Sequence, residues 1–74
     1  MSQTKKILMH MQDRGSITAL EAMQEYGCMR LAARIADLKA EGVQIVSATE
    51  FSMNRDGELV RFKRYFLKGD INAQ

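Results

Sequence analysis

The stretch GSITALEAMQEYGCMRLAARIADLKAEG, residues 15–42, carries two helical segments punctuated by Gly15, Gly27 and Gly42. Thr18 stands three residues before Glu21. At that spacing a hydroxyl and a carboxylate each satisfy an orphan backbone N–H of a helix's first turn. A helix therefore starts at Ala19, and Gly27, free to take the left-handed conformation, ends it. Leu20 and Met23 are expected on its inner face, with Tyr26 alongside. Leu31, Ile35 and Leu38 then fall within about 60° of one another at about 100° per residue. This predicts a further helix from about Met29 to Glu41, stopped at Gly42.

Upstream, Ile7, Leu8 and Met11 recur at helical spacing from Thr4 to Arg14, ahead of Gly15. Downstream the period changes. VQIVSATEFSM and ELVRFKRYFL are rich in β-branched and aromatic residues, and NRDG between them is a turn cluster. A β-hairpin is expected from about Val43 to Leu67. The closing KGDINAQ has little to bury and is expected to be a flexible tail, which makes residues 1–67 the single domain and 68–74 the tail.

With 74 residues the core is small and there is no room for a deep active-site cavity. Hydrophobic content of 46% and charged content of 27% are those of a globular domain. One cysteine, Cys28, excludes an intrachain disulfide, and with the single histidine, His10, it cannot supply a zinc site. No metal or cofactor is expected, and a reducing cytoplasm fits. Lys5 and Lys6 begin like a signal peptide, but the apolar run is broken at His10 and stops at Gln12, so no export signal is expected. Nor does any apolar run approach the ~18 residues of a membrane span. His10 and Cys28 are the only conventional base and nucleophile, and they fall in different elements without a third group at matched spacing. No catalytic residue is assigned. Cys28 reads as a small buried apolar residue.

Three helices followed by one hairpin, with a tight glycine-containing connection between the second and third helices, is the order of a winged helix-turn-helix. The fold class expected is α+β, with a two-stranded wing. The sequence also resembles a family of small phage and prophage proteins with such a domain, through Thr18, Leu20, Glu21, Ala22 and Gly27, then Leu31, Arg34, Ile35, Leu38 and Gly42, closing on Tyr65 and Leu67. The resemblance implies duplex DNA as partner, with a transcriptional or recombination-accessory role. One departure is the short interval from Gly27 to Leu31, which trims the third helix by part of a turn.

That helix is charged against its own dipole. Arg30 and Arg34 stand near its start, Asp37 and Glu41 near its end, an order that forgoes roughly 0.3–1 kcal/mol per charge. Bound to DNA, the N-terminal part of the second helix of the motif enters the groove and its C-terminal part lies further away. The arginines then sit where DNA would be. Met29, Arg30, Ala33 and Arg34 are the expected reading residues, although Arg34 and Asp37, three apart, also suit a plain surface pair.

Arg55 in the hairpin turn and Arg61, Lys63 and Arg64 on the return strand are the expected backbone clamps. Such residues also block edge-to-edge aggregation of a terminal hairpin. A base-stacking role for Phe51, Phe62, Tyr65 and Phe66 is the weaker reading, because a small core needs rings; only a ring exposed among the basic residues would favour it. One short reading helix covers few base pairs, which argues for two copies pairing on DNA. A net charge of only +2 favours the rival class, an adaptor that docks a host or phage protein through the alanine-rich face of the third helix.

Overall fold

The computed structural model of the chain describes residues 2–68. Its elements run α1 (Gln3–Arg14), β1 (Ser16–Thr18), α2 (Ala19–Tyr26), α3 (Leu31–Ala40), β2 (Ile45–Met53) and β3 (Leu59–Leu67). The Ser2 hydroxyl opens α1 by accepting the Lys5 N–H at 3.1 Å. At the start of α2 the capping box is complete. Glu21 N–H donates to Thr18 Oγ1 at 3.2 Å, and Thr18 N–H donates to Glu21 Oε1 at 3.0 Å.

Gly27 closes α2 at φ 67°, a backbone angle that costs a residue with a Cβ roughly 1–2 kcal/mol. Gly42, at φ 97°, follows α3 in a Schellman arrangement. Its N–H donates to the Lys39 carbonyl and that of Val43 to the Leu38 carbonyl, both at 3.0 Å. Leu31, Ile35 and Leu38 are buried as their spacing requires, and they meet Ile7 and Met11 of α1 in one core with Ile17 and Cys28.

Two expectations about the helices are corrected. Leu20 and Met23 are exposed, not on an inner face, and Ala22 is the one buried residue of α2. The first turn of α2 is fixed by its cap and by the adjoining strand, so the helix buries a small residue and turns its large ones out. The third helix begins at Leu31 rather than Met29. Arg30 is its N-cap, with φ −130° and ψ 61° and no side-chain cap bond, because Cys28, Met29 and Arg30 include none of the short polar residues that initiate a helix.

The sheet has three antiparallel strands in the order β1-β3-β2, where a two-stranded hairpin was expected. Ser16, Ile17 and Thr18 pair with Phe66, Tyr65 and Arg64. The edge strand ends at Arg64, so the hairpin from Lys63 outward is an arm in which β3 pairs with β2 alone. At the tip, Asn54 Oδ1 accepts the N–H groups of Asp56 and Glu58, both at 2.9 Å. Of the tail expected at 68–74, Lys68 still donates its N–H to the Gln44 carbonyl at 3.0 Å. Residues 69–74 lie outside the described residues. Among the described residues no helix is long and apolar enough to cross a membrane.

Candidate nucleic-acid interface

Strand alternation divides the cations of β3 between two faces. Arg61 and Lys63 share a face with Tyr65 and Leu67, and with Phe51 and Thr49, their cross-strand partners on β2. Arg64 lies on the other face. Its Nε donates to both carboxylate oxygens of Glu50, at 3.1 and 3.0 Å, its Nη1 donates to Ser16 Oγ at 3.2 Å, and Nη1 is also 3.5 Å from Glu21 Oε2. The Glu50 hydrogen bond, opposed by partial burial and helped by the charges of Glu50 and Glu21, raises the pKa of this guanidinium above its ordinary value. Arg64 thus ties β3 to β2, β1 and the start of α2.

The network continues inward. Glu21, already in the capping box, lies 3.9 Å from Nε2 of His10, whose Nδ1 is 2.7 Å from the Tyr26 hydroxyl. His10 is buried at 6% exposure, and its ring meets that of Tyr26 edge-on. His10 is thereby tied to α2 through two partners, and Cys28 lies apart as a buried free thiol. No group of three or more His, Cys, Asp or Glu among the described residues could hold a metal ion.

Arg55, Arg61 and Lys63 are exposed, and none has a carboxylate within ion-pair distance among the described residues. Arg30 is likewise exposed and unpaired there. It stands at the positive end of α3, where its carbonyl accepts the N–H groups of Ala33 and Arg34 at 3.1 and 3.3 Å. Arg34 differs. Its Nε is shielded from solvent and lies 3.1 Å from Asp37 Oδ2, without the alignment of a hydrogen bond. The pair leaves the rest of the guanidinium at the surface, with the side chain 31% exposed. Met29 is 78% exposed in the turn before α3, and Ala33 is half-buried.

Met29, Arg30, Ala33 and Arg34 are therefore together at the start of α3, whereas the hairpin packs mainly on β1, α1 and α2. The two groups of cations belong to separate parts of the fold. Phe51, weighed in the sequence only as the weaker stacking candidate, is 60% exposed opposite Arg61, the placement that favours such a role; Met53 and Leu59, 63% and 65% exposed on the same arm, escaped the sequence reading. The signal was present in the alternation of the two strands, but placing it needs their register.

No curated protein and no solved structure matches the chain. A family model described as a winged helix-turn-helix domain matches residues 2–69. The observed order of helices and strands is the one such a domain has. The chain belongs to the winged helix-turn-helix domain family, typically a non-enzymatic DNA-binding module.

Proposed function

We propose that this chain is a sequence-specific duplex DNA-binding protein of phage or prophage type, working in the cytoplasm as a small transcriptional regulator or a recombination accessory factor. The observation that carries this reading is the sorting of the cations. Arg30 at the uncapped start of α3 and Arg55, Arg61 and Lys63 on the hairpin are free of carboxylates among the described residues, while Arg64 is committed to two. Arg30 and Arg34, with Met29 and Ala33 beside them, read base edges in the major groove, where arginine pairs bidentately with guanine. The hairpin cations bind phosphates and fix the register of the docked helix. Arg64 serves this surface by holding the return strand in place. Two copies pair on DNA to read a site longer than one short helix covers.

Binding to a selected site and to a scrambled duplex, followed by anisotropy, tests the reading. The Arg30→Ala, Arg34→Ala double variant is expected to lose most of the discrimination between the two. Discrimination equal to that of the parent would remove α3 as the reader.

The adaptor is the second reading, favoured by one observation. Asp37 on α3, Glu41 at its C-cap and Asp56 and Glu58 in the hairpin turn are all exposed, so acids share the surface with the cations. Ala36 and Ala40 leave a small, exposed surface for a protein partner. Affinity for DNA that does not respond to salt would move the assignment to this class.

A further inference from the structure

On the distal arm of the hairpin, one face carries Met53 opposite Leu59, then Phe51 opposite Arg61, then Thr49 opposite Lys63. Phe51, Met53 and Leu59 are each at least 60% exposed. The edge strand stops at Arg64, so no third strand flanks this part of the arm. Large apolar side chains left in water on a projecting ribbon mark a contact surface. The cations on and beside the face say what kind. Arg61, Lys63 and, in the turn, Arg55 have no carboxylate partner among the described residues. Two copies meeting through this face would bring Arg61 and Lys63 together with their counterparts. A polyanion with apolar planes inside it answers both features at once.

We propose that this face of the arm is a wedge for duplex DNA: it lies across the minor groove and presses Phe51, Met53 and Leu59 against an unstacked base step, with Arg61 and Lys63 against the flanking phosphates. The inference rests on the duplex-binding reading and adds to it that binding deforms the DNA. Phenylalanine, leucine and methionine are among the side chains that can serve as wedges, since the exposed face of an unstacked base is apolar. Base edges in the minor groove of an undistorted duplex instead offer only hydrogen-bonding groups, which these three cannot answer. A two-stranded ribbon is also wider than an undeformed minor groove of about 6 Å, so the fit requires the groove to open. Asp56 and Glu58 sit at the extreme tip, where Asn54 accepts their N–H groups and its Nδ2 donates to Glu58 Oε1 at 3.2 Å. Acids there favour approach by the face of the arm rather than by its end.

The test uses the full chain and a duplex with a fluorescent base analogue at a TA step, whose emission rises on unstacking. The parent is expected to raise the emission and to bind a duplex with a mismatch at that step about tenfold more tightly than the intact one, since the unstacking is then already done. A Phe51→Ala, Met53→Ala, Leu59→Ala variant, checked for its fold by circular dichroism, is expected to bind both duplexes equally and to leave the emission unchanged. Parent protein bound with no rise in emission would overturn the wedge alone, as would a triple variant that behaves like the parent. A triple variant that turns a dimer into a monomer in sedimentation would give the face to a second copy and overturn the wedge too. Failure of the parent to bind any duplex would sink the duplex-binding reading itself.

Discussion

Arg64 donates from a single nitrogen, Nε, to both carboxylate oxygens of Glu50 on the neighbouring strand. Because Ser16 and Glu21 take Nη1, one guanidinium joins β3 to three other elements. Arg64→Ala is expected to destabilise the domain by about 1–2 kcal/mol, a charged hydrogen bond reduced for its partial exposure. The melting temperature should fall by roughly 4–8 °C per kcal/mol, as read by thermal denaturation. A raised arginine pKa stabilises the fold fully below the ordinary value, and that stabilisation is lost only as pH rises through the folded one. The effect should therefore be the same throughout the neutral range. A variant as stable as the parent would show that the network is dispensable.

Thr18 and Glu21 hold the start of α2 by mutual hydrogen bonds. Thr18→Ala is expected to cost about 0.5–2 kcal/mol in urea denaturation, the ordinary loss for an N-cap. Glu21 also faces Arg64 and His10, so Glu21→Gln should cost more in the parent than in an Arg64→Ala background. Equal costs in the two backgrounds would mean that Glu21 acts as a cap only.

Where the fold was legible, local chemistry sufficed. The capping box placed the start of α2 at Ala19, and Gly27 and Gly42 closed their helices because each takes a positive φ. The strand Ser16–Thr18 escaped because three residues show no period, and its partners, Phe66 to Arg64, lie at the far end of the chain. Leu20 and Met23 were misplaced for a related reason. A period says which residues share a face but not which face is covered. Arg64 looked like one more wing cation until the register put it beside Glu50 and across from Arg61 and Lys63.

Arg30 opposes the dipole of α3 at its N-cap and makes no cap bond there. Arg30→Asp is expected to stabilise the domain by about 0.5–1 kcal/mol while weakening DNA binding, since a favourable charge replaces an unfavourable one. Thermal denaturation and anisotropy on the same variant check both signs. Stability gained with affinity unchanged would take Arg30 out of the interface.

Arg34 is held at one nitrogen by Asp37, 3.1 Å away on the next turn. Such a surface pair adds only about 0.2–0.5 kcal/mol to the helix. Asp37→Asn is therefore expected to change stability by less than about 0.5 kcal/mol and to raise affinity for DNA, because it frees the guanidinium and removes a negative charge one turn from the reading end. Lower affinity would mean that Asp37 orients Arg34 for its base contact. An unchanged affinity would leave the pair as surface chemistry alone.

Salt separates the clamps from the fastener without knowledge of the target site. If Arg55, Arg61 and Lys63 each neutralise one phosphate, they contribute about −2.7 to the log–log slope of affinity against salt, at about −0.9 per contact. Lys63→Ala should flatten the slope by about 0.9 and leave the melting temperature unchanged, since Lys63 is exposed and without a carboxylate partner among the described residues. Arg64→Ala should do the reverse, lowering the melting temperature while leaving the slope near that of the parent, because its charge is already met by Glu50 and Glu21. The two variants sit next to each other in sequence but on opposite faces of β3, one cation free and the other bonded to Glu50 and Ser16. Titrating both across several salt concentrations, on a preferred and a scrambled duplex, compares the free cation with the bonded one. If Arg64→Ala flattens the slope as much as Lys63→Ala does, Arg64 leaves Glu50 on binding and joins the phosphate contacts, and the assignment of clamps by strand face fails.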